Sequence, residues 1–203
     1  MEYWNEAITQ KSWETLQKIS KKIDFILIGG WAAYLWAKSH KSKDIDIVIG
    51  YKELDKLKLN YNLKKNDNLK KYEIIIDDLG IDIYVPFYSK LPLLESIDEY
   101  TSKIESFEVV NPEALLVLKQ AAELDRGSSE KGLKDRIDIM DLLLKCQIDF
   151  KEYCNILAKH NLKDFKNKML GIVSTFNETK YLGLNPREFK LKKLELIKNI
   201  KNS

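Results

Sequence analysis

Every strand pattern in this 203-residue chain lies before the Asn111-Pro112 pair, and helical patterns alone follow it. Short runs rich in β-branched residues, bounded by glycine or charged residues, are typical of strands. The sequence therefore predicts an α+β protein, with a small mixed sheet flanked by helices in residues 1–110 and an all-helical domain in residues 111–203. The predicted strands are DFILI, DIDIVIG, YEIIID, IDIYVPF and ESFEVV.

The helical patterns are short and amphipathic. ITQKSWETLQKISKKI predicts an N-terminal helix whose apolar face includes Ile8, Leu16 and Ile19. WAAYLWAK and KELDKLKL predict two helices between the strands, and Asp78-Leu79-Gly80 is expected to turn YEIIID into IDIYVPF as a hairpin. Beyond Pro112 the predicted helices are PEALLVLKQAAELDR, GLKDRIDIMDLLLKC, DFKEYCNILAKHN and PREFKLKKLELIKNI.

Composition excludes several classes of protein. Hydrophobic residues make up 44% of the chain and charged residues 32%, as in an ordinary globular domain. Cys146 and Cys154 form no CxxC motif, so neither a disulfide scaffold nor a zinc site is expected. The first residues lack the features of a signal peptide, and no run reaches the roughly 20 apolar residues needed to cross a bilayer. We expect a cytoplasmic protein without membrane contact.

Positive charge is concentrated towards the C-terminus. From Lys151 onward the chain has 12 Lys+Arg residues against 5 Asp+Glu residues. Such a segment could contact a polyanion such as RNA, or its lysines could form a solvated helix face. Leu191, Leu194 and Ile197 indicate that part of the last helix is occupied with packing.

Two of the predicted strands carry carboxylates between apolar residues. Asp44 and Asp46 of DIDIVIG point to one face because side chains alternate along a strand, and Asp82 has the same kind of position in IDIYV. Grouped carboxylates repel one another unless a cation neutralises them, and Mg²⁺ prefers such oxygens. The alternative is a sheet with one solvated face, on which the aspartates need no partner.

A glycine pair, Gly29-Gly30, lies where the first predicted strand passes into a helix. Glycine lets a backbone approach a phosphate closely, and the free N–H groups at a helix N-terminus can bind it. Gly-Gly by itself is weak evidence. A glycine pair, a helix, an Asp-x-Asp strand and a later strand with a third aspartate form a far more specific order.

That order, carried by ILIGGW, KDIDIVI and GIDIYV, resembles the DNA polymerase β-like nucleotidyltransferase superfamily. The resemblance implies a nucleotidyltransferase fold in which Asp44, Asp46 and Asp82 are catalytic and bind two Mg²⁺ ions, or Mn²⁺ in their place. It implies further that Asp82 helps to activate the acceptor hydroxyl. Gly29 and Gly30 would hold the triphosphate.

A second segment, NPEALLVLKQAAELDRGSSEKGLKDRIDIMDLL, resembles small bacterial and archaeal members, including abortive-infection-type toxin nucleotidyltransferases. It makes Lys119 and Arg126 candidate nucleotide ligands; the alternatives are a solvent-facing lysine and an arginine that complements a helix end. Relatives often have Arg-x-Thr before Asp-x-Asp, where this chain has His40 and Ser42, so Ser42 is a further candidate. The other matching positions are Pro112, Glu113, Lys134, Asp135 and Asp138.

The roles of three of those positions stay open at this point. Lys134, Asp135 and Asp138 fall at helical spacing with Asp141, so i,i+3 pairing on a helix surface is a sufficient account of them. A role at the nucleotide would instead require them to line the site.

The resemblance implies transfer of a nucleoside monophosphate from an NTP, ATP among the candidates, to an acceptor hydroxyl. The acceptor could be tRNA, a protein or a small molecule. Two alternatives remain at this point. One is a catalytically inactive module that binds a nucleotide or a partner, and the other is the toxin of a toxin–antitoxin pair, whose partner would be an antitoxin protein.

Overall fold

The computed structural model describes Glu6–Ser203, and the chain divides into two compact units. The first unit ends at Asn111, and the second runs from Pro112 to Ser203. Among the described residues, the strands belong to the first unit and the second is helical. The α+β class predicted from the sequence is confirmed.

Seven strands form one mixed sheet in the first unit. In chain order they are β1 (Ile26–Ile28), β2 (Ile45–Val48), β3 (Lys64–Asn66), β4 (Lys71–Ile76), β5 (Leu79–Tyr84), β6 (Thr101–Ile104) and β7 (Phe107–Val110). Their order across the sheet is β3-β4-β5-β2-β1-β7-β6. The β1/β7 and β2/β5 pairs are parallel, and the other neighbouring pairs are antiparallel.

Alternation along the central strands divides apolar from acidic side chains. Ile45 and Ile47 of β2 are fully buried, and Asp46 between them is half-buried. In β5, Ile81 is fully buried and the adjacent Asp82 is half-buried. Burying one such isoleucine stabilises the fold by about 1.5–3 kcal/mol, so the apolar side chains fix which way the aspartates point.

Three helices accompany the sheet: α1 (Glu6–Ile19), α2 (Gly29–Ala37) and α3 (Tyr51–Asn60). Trp31 of α2 is buried, and its Nε1 donates a hydrogen bond to Ser12 Oγ of α1 at 2.9 Å. This bond explains why the buried face of α1 contains Ser12 together with Leu16 and Ile19. Ile8 was predicted on that face, which is wrong, since it is 44% exposed.

The β4–β5 hairpin turns earlier than the sequence indicated. Asp77 and Asp78 have φ values of +50° and +62°, the double left-handed conformation of a tight two-residue hairpin turn. Leu79 is already the first residue of β5, where it pairs with Ile76. The predicted turn at Asp78-Leu79-Gly80 is therefore displaced, because the apolar Leu79 side chain is buried in the sheet.

The second unit consists of α4 (Pro112–Arg126), α5 (Glu130–Lys145), α6 (Phe150–Lys159), α7 (Phe165–Thr175) and α8 (Pro186–Asn202). Side chains cap three of these helices: Ser129 begins α5, Asp149 begins α6, and Asn185 begins α8 in a capping box with Glu188. Tyr153 of α6 donates a hydrogen bond to Gln120 of α4 at 2.7 Å, which ties these two helices together.

The last helix presents leucines to solvent. Its buried residues are Phe189, Leu196 and Ile200. Leu191 and Leu194 are 62% and 57% exposed, so the expectation that they pack is wrong. None of the helices in residues 6–203 has the length and apolarity needed to cross a membrane.

The hairpin turn predicts that Asp78→Gly stabilises the protein. Glycine adopts the +62° φ of this position without a Cβ penalty, and the exposed 3.8 Å ion pair of Asp78 with Lys11 contributes little. We expect the free energy of unfolding to rise by about 0.5–1 kcal/mol, measured by urea denaturation. Asp78→Ala is the control, since it removes the same carboxylate and keeps a Cβ. Equal stabilities of the two variants would contradict the prediction.

Candidate active site

Strand register brings two of the three predicted carboxylates side by side. β2 and β5 are parallel neighbours, and Asp46 pairs directly with Asp82. Register partners point to the same face of a sheet, with their strands roughly 4.8 Å apart. On the other side of β2, Ile28 of β1 lies opposite Asp46, so the chain enters α2 next to this aspartate.

The side chain of Asp46 packs directly against Gly29, the first residue of α2, and leaves no room for a Cβ there. The φ of Gly29 is +69°, and a Cβ added to it would lie 2.7 Å from Cγ and 2.8 Å from Cβ of Asp46. Both the backbone conformation and the close side chain therefore require glycine. The carboxylate of Asp46 thus lies at the N-terminal turn of α2, whose N–H groups have no intrahelical acceptors. Triphosphate binding by Gly29 and by the buried Gly30 stays a prediction.

Asp44 and Ser42 precede β2 and do not form part of it. The strand begins at Ile45, one residue later than predicted. Asp44 is half-buried, and Ser42 is only 1% exposed. Metal binding by Asp44 and nucleotide binding by Ser42 stay predictions.

A lysine and a glutamate join the acidic face from β4. Glu73 pairs directly with Asp82, so Glu73, Asp82 and Asp46 form a row across three neighbouring strands. Nζ of Lys71 lies 2.6 Å from Oδ2 of Asp82 and 3.1 Å from Oε1 of Glu73. Burial opposes the charge of Lys71, but hydrogen bonds to Asp82 and Glu73 outweigh it and raise the lysine pKa above its ordinary value. The hydrogen bond from Lys71 also lowers the pKa of Glu73.

The sequence could have indicated Lys71 and Glu73 through the alternation in KYEIII, which puts both side chains on one face of the strand. Their position opposite Asp82 depends on the hairpin register, and that register depends on the Asp77-Asp78 turn. With the turn misplaced, the sequence could not show that Glu73 faces Asp82.

The carboxylate oxygens of Asp46 and Asp82 are chemically suitable ligands for a divalent cation. Asp46 and Asp82 supply carboxylate oxygens on one face, the ligands that Mg²⁺ prefers. Within residues 6–203, no three His, Cys, Asp or Glu side chains converge to hold a metal ion. Asp82 is engaged by Lys71. Metal binding by Asp44, Asp46 and Asp82 stays a prediction.

Lys119 lies in a buried ion-pair network of the second unit. Its Nζ is 2.5 Å from Oδ2 of Asp138 and 3.3 Å from Oδ1 of Asp135, and these three side chains are 8%, 4% and 3% exposed. Arg126 donates to the other oxygen of Asp135 at 3.0 Å. Two cations thus neutralise two buried carboxylates, as burial of charge requires.

This network corrects two alternatives drawn from the sequence. Lys119 does not face solvent, and Asp135 and Asp138 do not form surface pairs within α5, because both aspartates are directed at α4. Arg126 keeps a 43% exposed side chain at the end of α4. Nucleotide binding by Lys119 and Arg126 stays a prediction, and for Lys119 it would require an ammonium that also serves two carboxylates.

Comparison with solved structures identifies the fold. The chain is similar to JHP933 from Helicobacter pylori, with a TM-score of 0.56 and 15% identity over 98% of this chain and 94% of that one. It is also similar to an H. pylori protein described as a candidate nucleotidyltransferase, with a TM-score of 0.54 and 16% identity over 98% and 96%. The chain has a nucleotidyltransferase fold.

At such identities the likeness establishes the nucleotidyltransferase fold alone. An antigenic nucleotidyltransferase-like protein from Paracoccidioides brasiliensis aligns over 82% of this chain and 94% of that one, with 18% identity, but its TM-score of 0.42 supports no inference. No protein-family model matches the sequence, and no curated protein matches it significantly.

The contact between Gly29 and Asp46 predicts that Gly29→Ala is disruptive. The new Cβ would force Asp46 away from the turn and strain a left-handed backbone, so we expect a loss of at least about 2 kcal/mol in the free energy of unfolding. Gly80→Ala, in strand β5 of the same unit, is the control, because no atom lies within 4 Å of its added Cβ. Urea denaturation measures both, and similar stabilities would contradict the role given to Gly29.

The buried network predicts that Lys119→Met destabilises the protein strongly. Removing the ammonium leaves Asp138 without its cation inside the unit, so we expect a loss of about 3–5 kcal/mol in the free energy of unfolding. Lys131→Met is the control, because Lys131 is an exposed lysine of α5 and its removal should change little. A loss at Lys119 no larger than the control's would show that the network is not structural.

Proposed function

We propose that this protein transfers a nucleoside monophosphate from an NTP to an acceptor hydroxyl and releases pyrophosphate. The observation that carries the proposal is the in-register pairing of Asp46 with Asp82, beside the glycine turn that opens α2. A nucleotidyltransferase fold with aspartates at these positions suits phosphoryl chemistry, in which positioning and charge stabilisation do most of the work.

In this proposal Asp82 accepts the proton of the acceptor hydroxyl. The acceptor oxygen then bonds to the α-phosphorus while the bond from that phosphorus to the bridging oxygen breaks, and pyrophosphate leaves with that oxygen. N–H groups at the first turn of α2, next to Gly29, bind the triphosphate. Two divalent cations, held by Asp44, Asp46 and Asp82, would supply charge stabilisation for the attacking and leaving oxygens.

The acceptor class is proposed from charge. Lys190 and Lys192 of α8 are exposed, whereas Lys193 donates a hydrogen bond to the carbonyl oxygen of Phe176 at 3.0 Å and burial lowers its pKa. Two exposed lysines on a basic helix favour RNA, including tRNA, over an uncharged acceptor, because phosphates attract lysines without sequence preference. A protein or small-molecule acceptor, and a toxin role with an antitoxin partner, are the other proposals.

One observation favours a second function. The 2.6 Å ion pair between Lys71 and Asp82 occupies the carboxylate that would accept the proton. A module that binds nucleotides or a partner protein without turnover could keep this pair permanently.

Label transfer tests the proposal. The purified protein is incubated with each α-labelled NTP, Mg²⁺ and either total RNA or total cell protein, and we expect one NTP to label one acceptor class. Asp46→Asn and Asp82→Asn should each reduce labelling at least about 100-fold, because each removes charge from the reacting centre. Asp125→Asn, on the exposed surface of α4, is the control and should label normally. Nucleotide binding without label transfer would favour the second function.

A further inference from the structure

Lys71 lies beside the acidic row of Glu73, Asp82 and Asp46 on the sheet. Its side chain is only 12% exposed, and its Nζ contacts Oδ2 of Asp82 at 2.6 Å and Oε1 of Glu73 at 3.1 Å. Asp46 lies next in the row, on the far side of Asp82. The one ammonium therefore serves the proposed catalytic carboxylate and a neighbour that the proposed reaction does not use.

The ammonium and a divalent cation cannot share the same oxygen of Asp82. Mg²⁺ approaches a carboxylate oxygen to about 2.0–2.1 Å, which would leave the two positive charges only a few ångströms apart. At that separation like charges repel strongly, all the more on a half-buried surface with a reduced dielectric constant. A metal that binds through Oδ2 must therefore remove Lys71 from Asp82.

Glu73 offers Lys71 a second position. The Lys71 ammonium already lies within hydrogen-bonding distance of Glu73, and Asn66 Nδ2 donates to the same Oε1 of Glu73 at 3.2 Å. Lys71 can therefore leave Asp82 and keep a carboxylate partner within reach. Displacement of Lys71 then costs one ion pair instead of two, because its charge is never left without a counter-charge.

We infer that Lys71 is an internal counter-ion of Asp82 that a divalent cation must displace, and that Glu73 retains Lys71 after displacement. The inference rests on the proposed function, since it concerns metal binding at the same carboxylates. It makes Lys71 a positioning residue: it holds Asp82 in place before the metal arrives and sets how tightly the metal binds.

The competition between Lys71 and the metal is tested by Mn²⁺ titration of the purified protein. Binding is followed by calorimetry and by electron paramagnetic resonance of free Mn²⁺. Removing the competitor in Lys71→Met should lower the Mn²⁺ dissociation constant on the order of tenfold. Lys65→Met is the matched control on the neighbouring strand β3, since Lys65 pairs with the exposed Asp67 at 2.8 Å, and it should leave the dissociation constant unchanged. Circular dichroism confirms that each variant is folded.

A double-mutant cycle tests whether Glu73 retains Lys71 after displacement. Glu73→Gln should weaken Mn²⁺ binding, because Lys71 then has Asp82 as its remaining partner. In the Lys71→Met background the same Glu73 substitution should have no effect, since no ammonium needs a second position. If Glu73 acted as a metal ligand or through its charge alone, its effect would persist in that background. The double variant also removes the Glu73–Asp82 repulsion. If Lys71→Met alone fails to fold, comparing the double variant with Glu73→Gln tests the competition between Lys71 and the metal.

The outcomes separate this inference from the proposed function. Mn²⁺ binding by the unmodified protein with an equal dissociation constant in Lys71→Met overturns the inference alone. A Glu73 effect that persists without Lys71 overturns the retaining role of Glu73. Lack of Mn²⁺ binding by both proteins overturns the inference together with the metal requirement of the proposed reaction. Tighter binding in Lys71→Met, together with a Glu73→Gln loss of affinity that occurs only when Lys71 is present, supports the inference in full.

Discussion

The parallel pairing of β2 with β5 determines where the charges of the first unit lie. Because Asp46 and Asp82 share one register position, each strand presents its aspartate to the same face. The isoleucines that alternate with them are buried and fix that orientation, since a slip of one residue would bring carboxylates into the core. Hydrophobic packing on one side of the sheet thus assembles the acidic group on the other.

The same pairing accounts for the neighbours of the aspartates. β1 lies beside β2 and passes directly into Gly29, which must lack a side chain to admit Asp46. β4 lies beside β5 and brings Lys71 and Glu73 to Asp82. The acidic face is therefore partly neutralised by the protein itself, which helps to explain how carboxylates on adjacent strands coexist in the folded chain.

Local patterns predicted what depends on local geometry. Alternation alone gave the faces of Asp46 and Asp82, and the loss of strand patterns after Asn111 gave the helical character of the rest. Two strands went unpredicted: β3 is short and rich in lysine, and β6 is a short edge strand with one apolar residue. Their place is set by hairpin partners, which local composition does not encode.

Pairing between distant segments was the part that the sequence could not supply. Asp135 and Asp138 have the spacing of a solvated helix face, and only the packing of α5 on α4 shows that Lys119 neutralises them. Likewise, Lys71 is a candidate contact of Asp82 only once the hairpin register is known. In both cases the charge that makes an acidic position tolerable comes from another element.

The parallel contact between β1 and β7 has a consequence for biosynthesis. Leu27 pairs with Val109, which lies far along the chain, so one edge of β1 stays unpaired until β7 has been made. A nascent chain on the ribosome would hold that edge of β1 unpaired throughout that interval, and closing so long a loop is slow. The strand that leads into the glycine turn is thereby synthesised well before one of its two neighbours exists.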